Sequence, residues 1–259
     1  DAAVPGATVY VAPGIYTENL TIKKSVSLIG TDKTTTILKP AFDTGKDGDA
    51  RGWILVNKGI EFNLSNFTLD GEGKKVHTAL RTNGTGVIEN NVFKNIKYTD
   101  WMGIGVGILG NVTVKNNVFE NIQRIGVHIV LYDATDVVVD GNVYTGKGEG
   151  NWLDYGIEVG AGANATITNN TITNNRGVWE GDGSTSAGIL VTTYYGEPTT
   201  AVITGNTIHG NYVGVHVGYN EEDTSGVKIE NNHIYDNDFD VVSTNPLVDA
   251  SPNWWGSVA

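Results

Sequence analysis

Apolar and polar residues alternate in short runs along nearly the whole chain, and the runs recur. Val87-Ile88-Glu89-Asn90-Asn91-Val92-Phe93 is matched by Val112 to Phe119, Val137 to Tyr144, Ala165 to Ile172, Ala201 to Ile208 and Val227 to Ile234. Aligned on Asn91, Asn117, Asn142, Asn170, Asn206 and Asn232, the repeats are spaced by 26, 25, 28, 36 and 26 residues. A period of two predicts strands whose side chains alternate faces. A longer period of this size, punctuated by Asn and Gly, predicts one turn of a parallel β-solenoid per repeat.

Within each repeat the positions have separate duties. Three residues before the key Asn stands Ile88, Val114, Val139, Ile167, Ile203 or Ile229; two after it stands Phe93, Phe119, Tyr144, Ile172, Ile208 or Ile234. Both sets are apolar and are expected to face inward. The Asn is expected to bend the chain between two strands, because Asn tolerates left-handed backbone angles. Stacked rungs bring equal amides within reach of one another, as in an Asn ladder. These six asparagines are therefore read as scaffold.

A third strand follows each Asn turn: Gly103 to Val106, Gly126 to Ile129, Gly156 to Val159, Gly188 to Val191 and Gly214 to Val217, with Ala79-Leu80-Arg81 preceding them. Their middle residues are expected to face out in a column Arg81, Gly105, His128, Glu158, Leu190, His216. His128 beside Glu158 is the best acid/base pair in the sequence, since a neighbouring carboxylate should raise and orient an imidazole. A solvated strand face carrying a charge pair is the plainer reading of the same residues.

Aromatic residues flank the column. Tyr98, Trp101, Trp152, Tyr155 and Trp179 lie before its strands; Tyr132, Tyr194, Tyr195 and Tyr219 lie after them. Such rings suit stacking on sugars, and Asp100, Asp154, Glu180 and Asp182 among them could accept bonds from hydroxyls. Arg81, His216 and these rings are the candidate substrate contacts; rings that merely cover the ends of a core are the alternative.

The formal charge of −12 opposes nucleic-acid binding, which rests on Lys and Arg. No apolar run approaches the roughly 20 residues of a membrane span. Cysteine is absent, so no disulfide frame exists. Ca2+ is a conceivable cofactor: Asp43, Asp47 and Asp49 share one Gly-containing loop and could supply some of its six to eight oxygens, although a solvated acidic loop explains them as well.

Val9-Tyr10-Val11-Ala12-Pro13-Gly14-Ile15-Tyr16, then Glu18 to Ile22, then Leu28-Ile29-Gly30, resemble the opening of the pectin-lyase-like right-handed β-helix superfamily, and the Asn repeats resemble its parallel β-helix repeat. The resemblance spans nearly the whole chain. It implies an all-β, right-handed single-stranded parallel β-helix of about eight to nine rungs with an internal Asn ladder, residues 1–259 forming one domain. Asp1 to Gly6 resembles the last turn of a capping helix, and Asn253-Trp254-Trp255-Gly256 a motif near the end of such modules. Together they imply an excerpt of a longer polypeptide with further domains.

The superfamily holds lyases, hydrolases, esterases, epimerases and non-catalytic surface proteins, so it does not by itself fix an activity. The signatures of pectin methylesterases, polygalacturonases and pectate lyases cannot be placed here. The expectation is thus an extracellular or cell-surface module that binds a polysaccharide or cell-surface glycan without catalysis. The alternatives are a lyase or epimerase on an acidic polysaccharide, using His128 as base and Glu158 as its orienter, or a structural spacer.

Overall fold

The computed structural model describes residues 3–131, 133–196, 198–244 and 248–256. Three parallel sheets of nine strands each run the length of the chain, and every strand pairs with its equivalent one repeat earlier and later. In the first sheet Ile88 pairs with Val114, Val114 with Val139, Val139 with Ile167 and Ile167 with Ile203. The alternation read from the sequence is the burial pattern: Val137–Asp140, Thr200–Thr204 and Gly226–Glu230 bury every second residue. The buried members of all three sheets form one apolar core. Inside it the rings of Phe93 and Phe119 stack at 5.0 Å, and Tyr144 continues the column at 6.2 Å.

The corner between the first and second sheets is the most regular. Each key Asn donates its side-chain amide to the next one's Oδ1, from Asn91 to Asn117 at 3.1 Å through to Asn206 and Asn232 at 2.9 Å. Asn232 donates in the same way to Asn253, which therefore belongs to the column. The same Oδ1 atoms accept backbone N–H groups from the previous rung. The left-handed angle belongs not to these residues but to the one before: Asn90, Asn116, Gly141, Asn169, Gly205 and Asn231 have φ between 54° and 69°. A second column, Asn175 to Asn211 to Asn237, runs along the next corner over the last rungs and was not anticipated.

In the third sheet, five successive strands carry a glycine, Gly105, Gly126, Gly156, Gly188 and Gly214, packed against the ends of second-sheet side chains. A Cβ at Gly126 would lie 2.6 Å from the Tyr144 ring, and one at Gly156 2.7 Å from Ile172 Cγ2. That row of glycines corrects the expected column. Gly105 sits level with Gly126 within it, and the residue level with Arg81 and His128 is Gly107. The outward row is Leu55, Arg81, Gly107, His128, Glu158, Leu190, His216 and Val242. Beside it runs an outer apolar row, Ile104, Ile125, Tyr155, Ala187 and Val213. Of the stretch Asp1 to Gly6, Asp1 and Ala2 fall outside the described residues and Pro5 and Gly6 lie in a turn closed by Ala7 N–H onto Val4 O; among the described residues the one helical segment is the short 3-10 turn Gly48–Arg51.

Candidate functional site: a cleft over the third sheet

Loops on both edges of the third sheet rise above its outer face. On the entering edge, the second-sheet strands Val143–Asn151 and Thr171–Val178 overrun their neighbours and pair as a ribbon up to Asn151 and Val178. Trp152 and Trp179 follow directly from its ends. Their rings meet edge to face at 4.9 Å, and Trp101 touches Trp152 at 6.3 Å. On the leaving edge, Tyr194 packs edge to face against Tyr195 at 4.7 Å and Tyr219 at 5.1 Å.

Between these walls lies a cavity of about 440 Å3. Its floor is Glu158, Leu190 and His216; its walls are Trp152, Trp179, Tyr194, Tyr195 and Tyr219; Arg124 and Asp182 supply charge. The structure thus brings together Glu158, Trp152, Trp179, Tyr194, Tyr195, His216 and Tyr219. Three other candidates stand outside. Trp101 is half exposed beyond Trp152. Arg81 lies toward the first rungs, its Nε 3.5 Å from Asp49. His128 occupies the rung before Glu158, Nε2 to Oε1 at 3.8 Å, too long for a hydrogen bond. Tyr132 falls outside the described residues.

The electrostatics differ from the sequence expectation. Burial pushes the Glu158 carboxyl up to about 7, against the pull of Arg124. The His128 imidazole is not raised by its neighbour but driven down to about 3, first by burial and then by Arg124, Arg81 and Arg51. His216 is lowered by burial too, with Asp223 opposing. At neutral pH both imidazoles are therefore uncharged, and Glu158 is poised between its two forms.

Arg124, missed in the sequence, lies just before the strand Ile125–Val130 and sits 5.7 Å over the Trp152 ring. It makes no ion pair among the described residues, and its Nε has no hydrogen-bond partner; Trp152 Nε1 and Glu158 Oε2 are likewise buried without one. Buried polar atoms normally find partners, and the three side chains that carry these orphaned atoms all line the cavity.

Two expectations are corrected. Asp154 is no acceptor for a ligand: it is fully buried and takes hydrogen bonds from Ser186 Oγ, Gly177 N and Lys147 N. Asp43, Asp47 and Asp49 do not converge. Asp43 accepts from Lys75 N, Asp47 caps the 3-10 turn, and Asp49 pairs with Arg81. No group of three metal-ligating side chains forms among the described residues, and among them no helix is long and apolar enough to cross a membrane.

Comparison with curated proteins returned no match. Among solved structures, the A-module of mannuronan C-5 epimerase AlgE6 from Azotobacter vinelandii is similar with a TM-score of 0.55 and 21% identity, covering 94% of this chain and 71% of that one. The AlgE4 A-module of the same organism aligns at a TM-score of 0.43 and 18% identity, over 95% of this chain and 91% of that one. The family model "Right handed beta helix region" matches residues 53–220 and 129–249. With its three continuous parallel sheets and most of its length under that model, the chain belongs to the right-handed β-helix family.

Proposed function

We propose that this chain is an extracellular or cell-surface module that binds a polysaccharide in the cleft over its third sheet. The carrying observation is the cavity itself: two tryptophans on one edge and three tyrosines on the other, above a floor that carries Glu158 and His216. Indole and phenol rings offer flat apolar area to the C–H faces of sugars, while the polar floor takes hydroxyls or an acidic group. Trp152→Ala with Trp179→Ala, titrated against a panel of neutral and acidic oligosaccharides, should weaken binding by roughly tenfold, about 0.7 kcal/mol for each ring. Binding that survives both changes, or a wild type that binds nothing in the panel, refutes the reading.

A second reading rests on Glu158. A carboxyl with a pKa near 7 at the floor of a cavity suits proton transfer at neutral pH. The structural neighbour AlgE6 is named a mannuronan C-5 epimerase. On an acidic polysaccharide, Arg124 would bind the sugar carboxylate and Glu158, rather than His128, would exchange the adjacent carbon-bound proton. Incubation in deuterated water decides it: deuterium in the sugar ring or unsaturated ends supports catalysis, and unchanged polymer with retained binding leaves the module non-catalytic.

A further inference from the structure

The two walls of the cleft are made of chain that has left the sheets, so something else must hold each ring in place. On the tryptophan side, Asp154 stands two residues after Trp152. Its Oδ1 accepts from Gly177 N at 3.1 Å and from Ser186 Oγ at 2.7 Å; its Oδ2 accepts from Lys147 N at 3.1 Å. Gly177 in turn lies two residues before Trp179, and Ser186 ends the excursion that Trp179 begins. One carboxylate thus ties the two parallel ribbon strands of successive rungs and the end of the loop. Gly177 permits the close approach, since a Cβ there would fall 2.0 Å from Trp152 O and 3.0 Å from Asp154 Oδ1. Trp152 itself is held at φ 75°, an angle an L side chain rarely adopts.

The tyrosine side repeats the device with different residues. Asp223 is 4% exposed. Its Oδ2 accepts from Thr193 N at 2.8 Å, Thr192 Oγ1 at 3.0 Å and Tyr219 N at 3.2 Å, and its Oδ1 from Ser225 N at 2.9 Å. Thr192 Oγ1 also accepts from Tyr194 N at 3.0 Å. The backbone of Tyr219 is therefore bound directly to the carboxylate, and that of Tyr194 through one hydroxyl. Burial favours the neutral acid, but the hydrogen bonds from Ser225, Thr193 and Thr192 outweigh it and hold the Asp223 carboxyl below its usual range.

A buried carboxylate is costly unless several donors satisfy it, and here the donors at each site come from the segments that carry the rings. We propose that Asp154 and Asp223 are positioning residues for the ligand cleft, Asp154 fixing the Trp152–Trp179 wall and Asp223 the Tyr194–Tyr219 wall, each independently of the other. The proposal rests on the cleft being the binding site. Neither residue touches the guest; each acts through the rings it orients.

The test is a crossed set of variants read by glycan affinity and near-ultraviolet circular dichroism. Asp154→Ala should weaken binding about tenfold, as losing both rings does. In the Trp152→Ala/Trp179→Ala background the same change should have almost no further effect, whereas with Tyr194→Ala/Tyr219→Ala it should be additive. Asp223→Ala should give the mirror pattern. Asp154→Asn and Asp223→Asn, which keep an accepting oxygen, should recover part of the affinity and serve where the alanine variants do not fold. An equal loss in both backgrounds would reveal general loosening and overturn the proposal, as would unchanged affinity. The spectra separate this idea from the glycan reading. If no sugar binds the wild type, that reading falls, yet the coupled Trp152–Trp179 band must still change in Asp154→Ala and Asp154→Asn and persist in the Asp223 variants. A tryptophan band indifferent to Asp154 overturns the positioning role by itself.

Discussion

Replacing Glu158 with Gln should stabilise the protein, and only above mildly acidic pH. The Glu158 side chain is 6% exposed and burial raises its carboxyl from the ordinary 4.5 to about 7 in the folded state. The folded state therefore holds the proton more tightly than the unfolded chain. Stability is highest where both states are protonated, falls as pH rises from about 4.5, and levels off above about 7. The full gap of 7 − 4.5, about 2.5 pH units, is worth about 3 kcal/mol. Glutamine keeps the shape and never ionises, so the variant escapes this loss. The advantage should be below about 1 kcal/mol near pH 5 and about 3 kcal/mol near pH 8. With an unfolding entropy of roughly 2.1 cal/mol/K for each of the 259 residues, the latter corresponds to about 6 °C in the thermal midpoint. Calorimetric melts of both proteins across that range provide the assay. Contributions from other titrating groups, His128 included, are common to both and cancel in the difference. Parallel curves would refute the reasoning, because they would mean that Glu158 titrates like a solvated carboxylate and that the cleft floor is wet.

Other outcomes follow from the same geometry. His128→Gln should remove acid sensitivity: burial holds its folded pKa at about 3, below the ordinary 6.5, so the wild type loses stability as pH falls below about 6.5, by up to about 2 kcal/mol at pH 5, and the variant should not. Tyr144→Phe should stabilise by about 1 kcal/mol in denaturant titrations, because the Tyr144 hydroxyl is buried in the core without a partner. Asn170→Ala should destabilise by roughly 3 kcal/mol in the same assay, since it strips Asn142 N and Val139 O of their partner inside the stack; an unchanged midpoint would refute the role assigned to that column.

Much of this was legible because a solenoid repeats its errors as well as its rules. The inward positions around the key asparagines could be read since a one-residue slip would turn every strand inside out. The third sheet was harder. Gly103 stands just before the short strand Ile104–Ile108 and Gly105 and Gly107 within it, and any of them could be matched to Gly126 by eye; only the pairing of Val106 with Val127 chooses Gly105. The two residues were matched by their column, but their charge states were not, because His128 is governed first by its burial and then by Arg124, Arg81 and Arg51, and not by Glu158. Arg124 carries no sequence signal, as only the stacking of turns brings it over Trp152. Asp154 was misread for a related reason: alternation fails in loops, and nothing in Trp152-Leu153-Asp154 tells which way a side chain points. Asp43, Asp47 and Asp49 show that closeness in sequence does not make convergence, since Asp43 turns to Lys75 N and Asp49 to Arg81.

The position of the cleft follows from how unequally the three corners are built. The first corner keeps the same short Asn turn from Asn91 to Asn232, and its hydrogen bonds lock each rung to the next. With register secured there, the other corners can lengthen at little cost, because closing a longer loop adds only slowly to the entropy lost. The entering edge of the third sheet uses residues 123–124 in one rung, 152–154 in the next and 179–186 in the one after; the leaving edge uses 131–136, 161–163, 192–199 and 218–225. Long segments therefore stand on both edges of the strand Ala187–Val191, with 152–154 on the rung before it and 218–225 on the rung after, and there walls rise on two sides of one floor. Loops that have left the ladder need substitute partners for their backbone. At these rungs the substitutes are the carboxylates of Asp154 and Asp223, so the groups that keep the insertions ordered are the same groups that aim their aromatic rings.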